Sequence, residues 1–396
     1  MRGAHCADLH LGFRAFPDVR GGRNTRELDV EEAFFHAVEA IIKNQPDLIT
    51  VGGDVFHHPR VSDYAKAAFL SGLRALLKET KATIIILIGN HDAGRTADVL
   101  TPVALAEGWD SRVHIVTTPK RIKICGFSET FVEGLDESVS VACFPYVAMG
   151  DGKAYKLTPD PEADVNILLV HAAVKGDAKG DKLPYFYGAE DQALDVGKEA
   201  ERWDVIAAGD YHEFTRLHPS RLAFYSGSLE RTSNNIWDEH APKGVVFYDT
   251  KTGEMELSPV PNRDMSDFDL GDFDLPPGAN AEEVNGCLQT LVLMDNLKNS
   301  IVRFKVDAFP KTEREHLDWA LVRQLKSYCC HFYLDVRYAK AEAFDLGDKR
   351  ENESRSLAEE LVVFMKDDDP PVRDLAISFL DIAAEVEDVE EEVSDA

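Results

Sequence analysis

The sequence lacks any long hydrophobic run. Among its 396 residues, no stretch approaches the ~18 consecutive apolar residues that a membrane-spanning helix requires. The opening residues, MRGAHCADLH, also lack the apolar segment of a secretory signal peptide. We therefore expect an intracellular protein that is cytoplasmic or associated with the nucleoid and makes no contact with a membrane.

Cysteine is scarce and irregularly placed. The six cysteines form no CxxC pair and follow no regular spacing, which argues against both a zinc ribbon and a disulfide framework. A reducing compartment is the simplest expectation.

Positive charge is also in short supply. The chain has 43 Lys and Arg against 71 Asp and Glu, and residues 351–396 alone hold sixteen acidic and three basic side chains. Nucleic-acid binding normally requires a basic surface. A nucleic-acid ligand would therefore need local basic patches, bound cations or a basic partner subunit.

The order of apolar segments indicates an α/β protein. Up to about residue 110, strands alternate with helical segments, and the run TIIILI is apolar on both faces, as expected of a strand inside a sheet. Short strands follow to about residue 250, which predicts a mixed pair of sheets with helices outside.

Four segments are expected along the chain: a large domain of residues 1–262, a small α/β domain of residues 263–347, a helical segment of residues 348–386 and an acidic, disordered tail of residues 387–396. Residues 265–283, MSDFDLGDFDLPPGANAEE, have the Pro-Pro-Gly composition of a linker. Residues 313–328 are expected to form a single helix.

Polar motifs stand at five of the expected strand ends. Each is weak evidence alone, because a histidine after a strand is more often a structural residue. Together and in this order they point to a metal site. The motifs are DLH (Asp8, His10), GGDVFH (Asp54, His57), GNHD (Asn90, His91), LLVHAA (His171) and GDYH (Asp210, His212).

The side chains of these motifs are oxygen and imidazole donors without thiolate. Such a set suits Mn²⁺, Fe or Mg²⁺ in a hydrolytic site, with Zn²⁺ as a further alternative. Two ions that share a carboxylate lie ~3.5–4 Å apart, close enough to bind a phosphate oxygen and a hydroxide nucleophile together.

The five motifs resemble those of the calcineurin-like metallophosphoesterases, D-x-H, G-D, G-N-H-D/E, H and G-H-x-H, over roughly residues 1–250. HCADLHLG, GGDVFHHPR, and YSGSLER followed by KGVVFYD resemble more narrowly the SbcD-type DNA nuclease subunits, counterparts of the nuclease in the eukaryotic MRN repair complex. The resemblance implies a sandwich of mixed sheets flanked by helices, with a small cap or DNA-binding domain after it.

The resemblance also implies roles for individual residues. One ion would be bound by Asp8, His10 and His212, the other by Asn90, His171 and Asp210, with Asp54 between them. His91 would stabilise or protonate the transition state, and His57 would orient the DNA phosphate. Three arginines that follow these motifs or the YSGSLER loop are expected to contact the DNA backbone: Arg60, Arg95 and Arg231.

The last motif departs from the family pattern, because Asp210 stands where the family usually has histidine. A carboxylate still binds a cation, but it adds negative charge and favours harder ions such as Mn²⁺ or Mg²⁺. The departure bears on the identity of the metal more than on activity.

The function implied is a Mn²⁺-dependent DNA exonuclease and endonuclease subunit that acts with an SbcC-like, SMC-related ATPase in DNA repair, recombination or replication. The alternative is a small-substrate phosphatase or cyclic-nucleotide phosphodiesterase with the same two-metal core. A non-catalytic adaptor would require lost ligands, and none is lost outright.

The resemblance further implies a homodimer, and with the ATPase a heterotetramer. Dimerisation would use helices near residues 62–80 and 96–108, although core packing explains the apolar face of the first helix equally well. The helices within residues 348–386 would bind the base of the ATPase coiled coil, with packing on the cap domain as the alternative.

Overall fold

The computed structural model describes residues 1–93, 101–124, 137–146, 158–175, 194–233 and 235–339. Within these ranges, no helix has both the length and the apolar character needed to cross a bilayer. The expected helical segment of residues 348–386 and the acidic tail lie outside the described residues, as do Arg95 and the first part of the second expected dimer helix.

The first of two large sheets has six strands and contains both parallel and antiparallel neighbours. In spatial order its strands are β16 (Met255–Pro259), β15 (Gly244–Asp249), β1 (Arg2–Cys6), β4 (Leu48–Val51), β5 (Thr83–Leu87) and β6 (Val113–Val116). Strands β1, β4, β5 and β6 run parallel, while β15 is antiparallel to β1 and β16 is antiparallel to β15.

The second large sheet has the same mixed character. Its four inner strands are parallel and its two edge strands are antiparallel to their neighbours. In spatial order they are β13 (Thr215–Arg216), β14 (Leu222–Tyr225), β12 (Val205–Gly209), β9 (Val165–His171), β8 (Val139–Phe144) and β7 (Lys120–Ile124). Two short pairs complete the domain: β2 (Val19–Arg20) with β3 (Arg23–Asn24), and β10 (Val174–Lys175) with β11 (Leu194–Asp195).

The core explains why β5 is apolar from Ile84 to Leu87. Ile84 and Ile86 pack against the helices on one face, and Ile85 and Leu87 pack between the two sheets on the other. A strand that is buried on both faces carries apolar side chains at successive positions. The expected α/β sandwich of mixed sheets is confirmed.

Helices α1 (Thr25–Asn44) and α2 (Asp63–Glu79) cover the outer face of the first sheet. Helix α1 begins at Thr25 because the Asn24 side chain caps it by accepting from the Arg26 N–H. Phe69, Leu73 and Leu76 of α2 lie in the core that α2 shares with α1. Core packing therefore accounts for the apolar face of α2. On the second sheet, the short helix α3 (Val196–Glu199) packs beside Trp203.

The small domain is a three-stranded parallel sheet with two helices. Its strands are β17 (Met265–Phe268), β18 (Ile301–Phe309) and β19 (His331–Tyr338), and its helices are α4 (Ala281–Val292) and α5 (Trp319–Tyr328). Short 3-10 turns occur at Pro102–Ala106 and Ile236–Asp238 in the large domain and at Leu270–Phe273, Asp295–Leu297 and Lys311–His316 in the small one.

Two expectations about this domain were wrong. Residues 265–283 are not a linker: Met265–Phe268 form β17, in which Phe268 packs partly buried against the core and Asp267 pairs with Arg303 on the other face. Residues 313–328 are not one helix, because Asp318 caps a new helix by accepting from the Ala320 N–H.

Contacts tie the small domain to helix α1 and to loops of the large one. The Arg263 Nε donates to the Asp29 carboxylate at 2.7 Å. The rings of Phe16 and His331 stack with centroids 3.7 Å apart, and the Arg303 guanidinium lies 4.5 Å from the centre of the Trp237 ring.

Candidate metal centre

The predicted motifs meet at the carboxyl ends of parallel strands from both sheets. Asp8 and His10 follow β1, Asp54 follows β4 and Asn90 follows β5 in the first sheet. The remaining three residues come from the second sheet, where His171 ends β9 and Asp210 and His212 follow β12. Ligands of open α/β sheets bind at this edge of the strands.

The backbone at four of these positions has left-handed torsion angles. The values of φ are +53° at Asp8, +45° at His10, +51° at Asp54 and +103° at Asp210. Residues with a Cβ seldom adopt positive φ, and such strain concentrates at functional sites. The turns are therefore shaped to direct these side chains inward.

Two glycines make room for the side chains. A Cβ on Gly89 would lie 2.0 Å from the Asp54 Oδ1. A Cβ on Gly53, which has φ of +100°, would lie 2.4 Å from the His171 Nδ1. The glycines of GGD and GNHD are needed for this close approach.

Asp54 occupies the centre of the cluster. Its Oδ2 lies 3.8 Å from the His10 Nε2 and 3.7 Å from the His171 Nε2. On one side, His10 and His212 face each other with their Nε2 atoms 3.1 Å apart, and Asp8 lies beside them. On the other side, the His171 Nε2 is 2.9 Å from the Asn90 Oδ1 and 3.7 Å from the Asp210 Oδ1.

This arrangement suits divalent cations. Two facing Nε2 atoms share at most one hydrogen, whereas a cation between them would use both lone pairs. Asp8 and Asp54 are buried, at 0% and 2% exposed, and histidines are the ionic neighbours of Asp54. Buried carboxylates require pairing or a cation. The mixture of oxygen and imidazole donors fits Mn²⁺, Fe or Mg²⁺, and Zn²⁺ is compatible with it.

Buried carboxylates and imidazoles lie close together in this site, and their pKa values are shifted. Burial raises the pKa of Asp8 to about 6. Burial, reinforced by the neighbouring His212, lowers the pKa of His10. Burial alone would also lower the pKa of His171, but the carboxylates of Asp54, Asp8 and Asp210 outweigh it and raise that pKa to about 9. The carboxylates thus favour positive charge at this position, as they would favour a bound cation.

His57 and His91 form a second cluster with His10. The His57 Nδ1 lies 3.3 Å from the His10 Nδ1, and the His91 Nδ1 donates to the His57 carbonyl oxygen at 2.8 Å. The His91 backbone N–H donates to the Asp54 Oδ1 at 2.8 Å. Burial lowers the pKa of His57 to about 4. Both rings are partly exposed, so they border the open side of the site.

Sequence analysis gave no role to the last residue of GNHD. Asp92 is fully buried, and its carboxylate accepts from the backbone N–H groups of Val55 at 3.1 Å, Phe56 at 2.8 Å and Gly89 at 2.9 Å. It therefore holds the loop after β4 against the loop after β5. Its place in the motif was the only signal for this role. Glu239 and Lys243, which lie behind His212, were missed as well.

The predicted DNA-binding arginines differ in their surroundings. Arg60 is exposed on the loop after β4. The guanidinium of Arg231 is engaged by backbone, since its Nε donates to the Glu239 carbonyl oxygen at 3.2 Å and its Nη1 to the Arg263 carbonyl oxygen at 3.4 Å. Arg95 lies outside the described residues. Contact with DNA remains a prediction for all three.

Comparisons with known proteins agree with these motifs. A family model described as calcineurin-like phosphoesterase matches residues 1–214. The chain is similar to a protein of Methanococcus maripaludis named DNA double-strand break repair protein Mre11, with 32% identity over 275 residues, 67% of each chain.

Proteins of the same name from two other organisms are also similar. The one from Methanopyrus kandleri is 30% identical over 237 residues, which are 58% of this chain and 49% of that relative. The one from Methanocaldococcus jannaschii is 23% identical over 327 residues, 81% of this chain and 78% of that relative. The matched region thus ranges from about half to about three quarters of the relatives' length.

Proposed function

Because the chain belongs to the calcineurin-like phosphoesterase family, we propose that it is a metal-dependent DNA nuclease subunit. It would hydrolyse phosphodiester bonds in DNA during double-strand break repair, recombination or replication. The similarity to proteins named for DNA double-strand break repair supports this substrate. The observation that carries the proposal is the pair His57 and His91, which borders the open side of a cluster of buried carboxylates and imidazoles.

Two divalent ions, preferably Mn²⁺, would be held by the facing ligand sets. Asp8, His10 and His212 would hold one, Asn90, His171 and Asp210 the other, and Asp54 would bridge them. When bound, the ions supply positive charge to the phosphate oxygens and lower the pKa of the attacking water.

The protein's own residues would orient the substrate and move protons. His91 Nδ1–H donates to the His57 carbonyl, which fixes the ring and leaves Nε2 for the leaving-group oxygen. As the bond from phosphorus to that oxygen breaks, a proton held at Nε2 would neutralise it. His57 would orient the phosphate from the neighbouring position, and the exposed Arg60 would contact the DNA backbone.

We also propose that the chain acts with an SbcC-like, SMC-related ATPase, as part of a heterotetramer built on a homodimer. The net acidity of the chain supports a need for other subunits, because a basic surface for duplex DNA would have to come partly from a partner. Dimerisation through α2 would have to use side chains outside the core, such as Tyr64, which is 61% exposed.

A substrate comparison tests the proposal. Purified protein with Mn²⁺ should cleave linear duplex and single-stranded DNA, and Asp54→Asn should abolish cleavage while the protein remains folded. Parallel assays would use p-nitrophenyl phosphate esters and a cyclic nucleotide. Turnover of these small substrates with no cleavage of either DNA would overturn the nuclease assignment in favour of a phosphatase or cyclic-nucleotide phosphodiesterase.

A further inference from the structure

A buried ion pair lies directly behind His212. Glu239 is 4% exposed and Lys243 is 1% exposed, and the Lys243 ammonium donates to the Glu239 carboxylate. Removing both charges from water costs several kcal/mol per ion before their attraction offsets it. The pair has no part in the proposed reaction. Its burial cost therefore indicates a separate role.

Lys243 acts on the backbone of His212. Its Nζ donates to the His212 carbonyl oxygen at 2.6 Å and to the Ser228 Oγ at 3.1 Å. The Ser228 backbone N–H donates to the same His212 carbonyl oxygen at 3.0 Å. These contacts fix the loop after β12 against the YSGSLER segment. The position of the His212 backbone is therefore set by groups outside the ligand cluster.

Glu239 faces the ring of His212. The His212 Nε2 points towards His10, whereas its Nδ1 lies 3.4 Å from the Thr232 Oγ1 and 3.9 Å from the Glu239 Oε1. The Glu239 Oε1 itself accepts from the Ser233 N–H at 2.9 Å, so its direction is fixed. The His212 Nε2 thus faces another proposed metal ligand, whereas its Nδ1 faces a hydroxyl and a carboxylate.

We propose that Glu239, held in place by Lys243, is a positioning carboxylate for His212. Its negative charge, 3.9 Å from Nδ1 and beyond hydrogen-bond distance, favours the tautomer with the ring hydrogen on Nδ1 and so leaves the Nε2 lone pair for the cation shared with Asp8 and His10. A carboxylate at the far nitrogen of a ligating imidazole fixes its tautomer and strengthens it as a ligand. This inference rests on the proposed function, because it assigns a cation to that ligand set.

The ion pair also explains why Glu239 does not itself compete for the cation. Its second oxygen is committed to Lys243, whose charge offsets that of the carboxylate. A purely structural role would require only that the pair hold the loop. If Glu239 positions His212, a neutral residue in its place should lower the affinity for the metal. If Glu239 only holds the loop, the affinity should not change.

The test is Mn²⁺ binding by full-length Glu239→Gln, measured by calorimetry and by electron paramagnetic resonance of free Mn²⁺ in the absence of DNA. We expect the affinity of one of two sites to fall ~10–100-fold, while the other site is unchanged. Glu239→Asp should recover part of the loss. Nitrogen-15 NMR of the Zn²⁺-loaded wild type should place the His212 hydrogen on Nδ1.

Glu27→Gln provides the matched control. Glu27 is also a buried glutamate, at 2% exposed, and it is paired with Arg14 rather than with a predicted ligand. The control should lose thermal stability without losing Mn²⁺ affinity. Unchanged affinity in Glu239→Gln, an equal loss in both variants, or a His212 hydrogen on Nε2 would overturn the positioning role.

The outcome can be separated from that of the proposed function. A wild-type protein that binds two Mn²⁺ ions but does not cut DNA would overturn the nuclease proposal and leave the role of Glu239 standing. A wild-type protein that binds no divalent ion would overturn both.

Discussion

At the residue scale, His91 is the position with the clearest chemical expectation. His91→Ala should reduce DNA cleavage by at least ~10²-fold, as for loss of a general acid or charge stabiliser. The amount of Mn²⁺ bound by this variant should equal that bound by the wild type, because the contact with Asp54 comes from the His91 backbone. Cleavage rates and metal content would be measured together. His36→Ala, an exposed histidine of α1 beside Glu39, serves as the control.

His57 should behave differently from His91. His57→Ala should reduce processive exonuclease activity more than simple phosphoester cleavage, because its expected task is to orient DNA. Its Nδ1 also lies 3.3 Å from the His10 Nδ1, so metal content has to be measured in the same preparation. An equal loss in both assays, with metal retained, would contradict the assigned role.

His5 gives a pH dependence of stability that is independent of catalysis. Its ring lies between the Thr50 Oγ1 at 2.9 Å and the Ala208 carbonyl oxygen at 3.2 Å. Burial lowers its pKa from 6.5 to about 4. Between these values the unfolded chain binds the extra proton, so the free energy of unfolding falls as the pH drops from 6.5 towards 4.

A pKa shift of this size corresponds to about 3 kcal/mol at full protonation. Urea unfolding at pH 7 and pH 5 would measure the effect, and His5→Gln should make the stability less dependent on pH across that interval. An identical pH dependence in the variant would show that other groups are responsible.

The metal-ligand candidates were predictable because each follows a strand and the carboxyl ends of parallel strands meet. Asp92, Glu239 and Lys243 were not, because their roles lie in contacts with the backbone or ring of remote residues. The Asp92 carboxylate accepts from the backbone N–H groups of Val55 and Phe56. Lys243, which immediately precedes β15, donates to the His212 carbonyl oxygen. Neither contact has a spacing that a sequence displays.

At the element scale, Asp92 joins two loops that carry proposed ligands. Asp92→Asn should lower the free energy of unfolding by about 1–3 kcal/mol, because an amide cannot accept from all three buried N–H groups. It should also weaken Mn²⁺ binding, since Asp54 and Asn90 lie on these loops. Chemical denaturation and metal titration would test this.

Asp63→Asn is the control for Asp92→Asn, because the Asp63 side chain is 97% exposed. Stability of Asp92→Asn equal to that of the control would mean that the loops are held by other contacts.

Elements were predictable where the hydrophobic period was long and uninterrupted. The run in β5 predicted its burial, and α2 (Asp63–Glu79) lies within the helix expected near residues 62–80. The prediction failed at β17, because the strand has only four residues and is followed by a segment rich in Asp, Gly and Pro, which has the composition of a loop. Its pairing with β18 and the ion pair from Asp267 to Arg303 decide the structure there.

At the scale of the whole molecule, truncation separates catalysis from assembly. Removal of the residues after Asp348 should leave Mn²⁺ binding and nuclease activity largely intact, because the proposed ligands all precede that point. It should abolish co-purification with the ATPase partner, whose proposed binding site is the segment 348–386. Unchanged affinity of the truncated chain for the partner would place the docking site elsewhere.

The origin of the ligands in two sheets has a consequence for the lifetime of the protein. Each proposed cation position draws on both sheets, since His10 follows β1 and His212 follows β12, while Asn90 follows β5 and His171 ends β9. A cation that binds only the folded chain adds about 2.7 kcal/mol at a hundredfold excess over its Kd. A bound cation would therefore stabilise the packing of the two sheets against each other. Cation starvation would then deplete the protein itself by exposing it to proteolysis, in addition to halting its reaction.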